Sequence, residues 1–227
     1  MRLLSCILIS FISLQTITAQ ADEEQQKIDF IEQQFSNTRD HSKTWQWGWF
    51  GFLGSATVAQ AIGANTLDHD TMKYDMGVGA ATSFLGAVDM LINPMVSHYY
   101  SDELQSMDKD SGIINEAKLR QAELWLYAAA EREVYEQSFM NHLLAGFVNG
   151  LGALVIAYDD DRPGDALLSF AAGMAVSEFK IYTAPQTMMA AKEAYQRGNY
   201  QLNTVKVEEQ RLFVAASGPN LFVNWKF

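Results

Sequence analysis

The chain has 227 residues, with 16 Lys+Arg against 27 Asp+Glu and a formal net charge of −11. That balance argues against nucleic acid, whose phosphates need cations, and against docking on anionic lipid headgroups. The single cysteine, Cys6, lies near the N-terminus, so the rest of the chain has no disulfide, thiolate metal site or cysteine nucleophile.

Residues 1–21 have the three parts of an export signal. Arg2 is the basic start, Leu3 to Ile17 is almost wholly apolar, and Ala19 and Ala21 are the small residues before a cleavage site. Cleavage after Ala21 leaves Asp22 first and a net charge of −12. An uncleaved anchor competes with this reading, but the apolar run is shorter than the roughly 20 residues that span a bilayer. Leu3-Leu4-Ser5-Cys6 looks like a lipobox, yet its cysteine precedes most of the apolar run instead of following it. This places the protein in the periplasm or an envelope membrane.

Asp22 to Lys43 reads as a polar helix, with Ile28, Phe30, Ile31 and Phe35 forming one apolar stripe. A dense apolar segment, Trp47 to Asn65, follows, then the polar break Leu67-Asp68-His69-Asp70. A second apolar segment runs from Met76 to Ile92 and stops at Asn93-Pro94, because proline lacks the N–H that the helix ladder needs. Ser101 to Gly112 reads as a polar linker.

The order then recurs. Asn115 opens an amphipathic helix to about Gln137, with Leu119, Ala122, Leu126 and Ala129 on one side. Phe139 to Tyr158 is apolar, Asp159 to Asp165 is an acidic break, and Ala166 to Tyr182 is apolar up to Thr183-Ala184-Pro185. An exposed helical end continues to Arg197, with Gly198 as its stop. Pro94 and Pro185 lie 91 residues apart, and the same shift aligns Asp68 with Asp159 and Asp70 with Asp161. The order of elements, more than identity, predicts an internal duplication. In the tail, Leu212 to Ala216 and Leu221 to Phe227 read as strands about the turn Ser217-Gly218-Pro219-Asn220.

The predicted fold is therefore mainly α. It has two similar helical units, each a polar helix plus an apolar helical hairpin, and a short C-terminal β-hairpin. The helical domain covers 22–198, with possible repeats 22–98 and 115–197, and the β tail covers 199–227.

The four apolar segments are near the length of a membrane span, and Gly51/Ser55, Ala59/Gly63, Gly146/Gly150 and Ala171/Ala175 have the four-residue spacing of close helix pairs. Gln60, Asp89, His142, Asn149, Glu178 and Lys180 lie inside or at the ends of these segments and oppose simple spanning. Basic residues such as Arg39, Lys43, Lys118 and Arg132 lie opposite the acidic tips. The positive-inside tendency puts that end in the cytoplasm, whereas the signal exports it.

His142 and Asn149 share a helix face, and counting back from the acidic break brings His142 near Glu178 or Tyr182. These four are the candidate ligand-binding residues, since a His–carboxylate pair in an apolar setting can move protons or hold a small polar ligand. A satisfied pair that fixes helix register is the plainer reading. Trp45, Trp47, Trp49 and Phe50 are candidates for a membrane interface, and equally for core or subunit contact. No metal or cofactor motif is present, and Asp159-Asp160-Asp161 lacks the alternating ligands of a calcium loop.

His142, Asn149, Asp159-Asp160, Gly173, Glu178 and Thr183-Ala184-Pro185 together resemble the pattern of an unnamed, uncharacterised family of bacterial exported or membrane helical proteins, over about 138–195. The resemblance implies type and compartment only. The function expected is that of a non-enzymatic, membrane-associated envelope protein with a structural role or a protein partner, which includes a second copy of itself. The alternative is a small-ligand or lipid-binding protein that uses the His142 seam.

Overall fold

A computed structural model of the protein describes residues 2–107, 115–201, 212–217 and 220–225, with side chains for 22–107 and 116–201. Seven helices lie among these residues: α1 (Arg2–Thr66), α2 (Asp70–Ile92), α3 (Ser97–Met107), α4 (Asn115–Glu136), α5 (Phe139–Asp159), α6 (Pro163–Tyr182) and α7 (Thr187–Gln196). Two extended segments follow, β1 (Leu212–Ser217) and β2 (Asn220–Trp225). The protein is mainly helical, as the patterning predicts. The side chains of the export-signal segment and of the tail after residue 201 lie outside the described residues.

The boundaries differ from the sequence reading in three places. The polar segment 22–43 and the apolar segment 47–65 are one unbroken helix, α1. Hydropathy changes between them, but Thr44-Trp45-Gln46 contains no residue that stops a helix. In the second half the same junction is broken, because Ser138 caps α5 by accepting from Asn141 N at 3.3 Å. The linker read from Ser101 is helix α3 through Met107, with Ser101 and Leu104 buried. The helical end before Arg197 is a separate helix, α7, and it is not exposed. Met188, Ala191 and Tyr195 form a buried stripe on it, and Gly198 at φ +71° turns the chain out of it.

Two regions result. In the base, the lower half of α1 packs with α3, α4 and α7 around a closed core of Ile28, Ile31, Phe35, Leu104, Leu126 and Met188. Above it, the apolar parts of α1, α2, α5 and α6 form a sheaf whose large side chains point outward. Phe84 is 56% exposed, Phe147 62% and Leu167 70%. Small residues let these helices approach. A Cβ at Gly152 of α5 would stand 3.1 Å from Thr82 and 3.2 Å from Val78 of α2, and one at Gly86 would stand 3.2 Å from Leu53 of α1. Between the regions sits a small cluster of Trp45, Leu53, Met90, Met95 and Ala184. The stretch Asp70–Met107, which contains α2, and helix α5 are long and apolar enough to cross a bilayer.

At the far end of the sheaf, the connection between α5 and α6 turns at Asp161 (φ 52°). Arg162 ties the two tips together. It donates to Asp75 at 2.5 Å on the first hairpin, and to Asp160 at 2.6 Å and Asp165 at 2.8 Å on its own. Tyr74 Oη donates to Asp159 at 2.5 Å across the same gap.

Candidate functional site

The antiparallel packing of α5 on α6 places His142 beside Glu178. His142 Nδ1 lies 2.9 Å from the Glu178 carboxylate, which can only accept, so this ring nitrogen is the donor. Their side chains are 38% and 44% exposed, on the outer surface one turn above the base. Asn149 lies two turns farther along α5 and faces inward. Its Nδ2 donates to Ala145 O at 2.9 Å and Ser177 Oγ at 3.1 Å, and its amide lies so close over Gly173 that any Cβ there would overlap it. Tyr182 is half-buried at the last residue of α6. Thus His142 and Glu178 form one pair, Asn149 forms a separate clamp between helices, and neither lines a cavity described below.

The first hairpin has a matching clamp. The Gln60 amide hydrogen-bonds to Ser83 Oγ at 2.9 Å and lies over Gly79. In both hairpins an amide crosses to a serine and rests on a glycine one turn before it. Such an arrangement satisfies a polar group inside an apolar pair and sets its register.

The densest polar group was not among the sequence candidates. Lys180 Nζ donates to Glu136 at 2.7 Å and to Asp89 at 3.4 Å. Arg132 pairs with Glu136 at 2.9 Å and donates to Asn93 O from Nε (3.1 Å) and Nη2 (2.6 Å). Asn93 Nδ2 in turn donates to Asp89 at 2.8 Å. Two cations and two carboxylates balance within one junction, with Glu136 almost fully enclosed. Lys180 and Asp89, both charged residues inside apolar segments, are the signals the sequence offers. Its partners come from other helices, and helix spacing along one segment does not reveal them.

The aromatic candidates divide by helix face. Trp45 and Trp49, one turn apart, turn towards α6. Trp45 Nε1 donates to Lys180 O and Trp49 Nε1 to Thr183 Oγ1, both at 3.1 Å. Trp47 and Phe50 pack edge-on at 5.8 Å, with Trp47 45% exposed. Trp45 is therefore a buried cap on the end of α6 and not an interface residue, because it lies on the α6-facing side of α1. His41 Nε2 also meets Thr183 O at 3.2 Å.

A groove of about 670 Å³ lies between α1 and α6, lined by Trp45, Gly48, Trp49, Phe52, Val176 and Phe179, with His41 and Thr44 at its polar end. A second cavity of about 440 Å³ in the base lies beside Glu32, Ser36, Ser101 and Gln105.

Within the base, Glu133 is enclosed and accepts from Met188 N at 2.8 Å and Met189 N at 3.0 Å, capping α7. Burial pushes its carboxyl up to about 7, against the opposing pull of those two N–H groups. Burial likewise lowers His98, whose Nδ1 lies 3.2 Å from Ser42 Oγ. Among the described residues, no group of three or more His, Cys, Asp or Glu is placed to hold a metal ion. Comparison with family models, with curated proteins and with solved structures finds no match for this chain.

Proposed function

We propose that the protein is an exported envelope protein whose sheaf spans a membrane and whose base stands outside the cytoplasm, in a structural or partner-binding role. One observation carries this reading. The base hides its apolar residues in a closed core, while the sheaf turns Phe84, Phe147, Leu151 and Leu167 outward. Monomers in water rarely leave so continuous an apolar belt uncovered. At about 1.5 Å per residue, the apolar stretches of the sheaf helices are about 25–30 Å long, close to the thickness of the hydrocarbon layer. The signal at 1–21 directs the base outward, and the resemblance over 138–195 agrees in type and compartment.

The reading includes the internal duplication. At the 91-residue shift, buried Ile28, Phe35, Met90 and Leu104 align with buried Leu119, Leu126, Ile181 and Tyr195. Contacts align as well: Ser42 with His98 matches Glu133 with Met189. Lys180 with Asp89, and Arg162 with Thr71 O, join residues 91 apart directly. Residues that touch their own equivalents lie on a pseudo-twofold axis. One such contact is at the tips and the other at the junction, so the axis runs along the sheaf, as in parallel repeats that share one orientation in the bilayer. The antiparallel pairing of β1 with β2, Leu212 opposite Trp225 and Ser217 opposite Asn220, supports a local C-terminal hairpin.

Alkaline extraction of membranes tests the reading. The chain should stay with the membrane, and N-terminal sequencing should begin at Asp22. Release into the soluble fraction would sink the spanning assignment.

A further inference from the structure

We infer that the cavity of about 440 Å³ between α1 and α3 in the base binds a small free primary amine, held as its alkylammonium ion. That volume suits a small molecule. Asp29, Glu32, Gln33 and Ser36 of α1 and Ser101 of α3 line it, and Phe35 and Leu104 add carbon. No Lys or Arg is among the described residues that line it. Two of its polar groups, the Gln33 amide oxygen and the Ser101 hydroxyl, are buried without a hydrogen-bond partner among the described residues. Ser101 is only 1% exposed, so bulk water does not reach it. An amide oxygen only accepts and a hydroxyl can also accept, so both suit a ligand rich in N–H donors. Burial without a partner is costly, and an occupant that donates to both groups removes that cost. Asp29 accepts from the neutral amide of Gln25 at 2.7 Å and so keeps a counter-charge for a cation, whereas Glu32 is already paired with Lys118.

The nature of the occupant rests on the duplication proposed above. Under it, α4 and α7 form the matching groove, and there the chain fills the space itself. At the 91-residue shift, Ser36 and Ser101 become Tyr127 and Lys192, while Glu32 and Leu104 become Glu123 and Tyr195. Both of those pairs are in contact. The Lys192 ammonium lies 5.2 Å from the centre of the Tyr127 ring, and Tyr195 Oη donates to Glu123. An ammonium on a four-carbon stem thus occupies the α4–α7 groove. On the α1–α3 side two serines stand in place of the lysine and the tyrosine, and the space stays open. Asp29 also stands in place of Arg120, so the open groove is the more acidic of the two. A free alkylammonium ion gives the first half what Lys192 supplies in the second.

Calorimetric titration of the full chain in detergent with butylammonium chloride, which has the stem and charge of a lysine side chain, tests the inference. Butylammonium should bind saturably, and 1-butanol, of similar size without the charge, should not. Asp29→Asn with Gln33→Leu should lower the affinity ~10-fold, a loss of about 1.4 kcal/mol of binding. Ser101→Lys, which copies the other half, should abolish binding, and Ser36→Tyr, at an exposed position, serves if that variant does not fold. Ser101→Ala should weaken binding yet leave the unfolding midpoint of the free protein unchanged or higher, because its hydroxyl has no partner to lose. A wild type that takes up no butylammonium overturns the inference, as does equal uptake of butanol or binding retained in both Ser101→Lys and Ser36→Tyr. So does a Ser101→Ala midpoint that falls while binding is kept. Tighter binding of Nα-acetyl-lysine amide than of butylammonium would assign the cavity to a partner's lysine and overturn the free amine. The cavity lies wholly in the base, so release of the chain by alkali would overturn the spanning reading and leave this inference standing.

Discussion

The base and the sheaf share a helix but use their side chains in opposite ways. α1 runs through both without a break. In its lower half Ile28, Phe30, Ile31 and Phe35 are enclosed, while in its upper half Phe52, Val58 and Ile62 are exposed. The base is held as a water-soluble domain is held, by removing apolar surface from solvent. The sheaf is held by close approach at glycines, by two amide–serine clamps and by ion pairs at its ends. The difference shows that apolar composition alone does not say where a core is. What decides is whether a neighbour covers the side chain.

The largest effect should fall in the base. Leu126→Ala empties a fully buried site and should cost about 2–5 kcal/mol, whereas Leu154→Ala, half-exposed on the sheaf, should cost far less. Thermal unfolding in the same detergent checks the pair, and equal losses would erase the distinction between the regions. Next, Lys180→Met leaves Arg132 alone to balance the enclosed Glu136 and the nearby Asp89 and should cost about 1.5–3 kcal/mol, with a second change, Glu136→Gln, restoring part of it. A double-mutant cycle that shows strict additivity would break the claim that this junction acts as one network.

Gly173→Ala should cost about 1–3 kcal/mol, because its methyl collides with Asn149, and Asn149→Ala should relieve that collision. Glu133 gives a pH dependence confined to the base. Its folded value, about 7, lies above the ordinary 4.5, so the fold favours the neutral carboxyl. Its contribution is fully present below 4.5 and is lost as pH rises to about 7. Unfolding midpoints should therefore fall across that window, and Glu133→Gln should flatten the slope. The smallest effect belongs to His142→Ala with Glu178→Ala. The pair is half-exposed and should contribute under about 1 kcal/mol. A large loss of stability would move the anchoring of the second hairpin from Asn149 to this pair.

Much of this was legible in the residues. The stripe of Ile28, Ile31 and Phe35, the stop at Asn93-Pro94 and the approach of His142 to Glu178 follow from spacing within one or two neighbouring helices. The burial of α7 did not, because Met188, Ala191 and Tyr195 form only a short stripe whose cover comes from α4. The unbroken passage through Thr44-Trp45-Gln46 was missed because hydropathy changes there while helix propensity does not.

By itself the sequence determined the helical class, the order of apolar and polar segments and which loops are acidic, since these depend on residues close together in the chain. Only the tertiary structure decided which apolar faces are covered, that Trp45 is a cap and Trp47 a surface residue, and that Arg132, Glu136, Lys180 and Asp89 meet. Those outcomes depend on how helices distant in sequence are arranged around one another. Periodicity states that a face exists, and only packing states what lies against it.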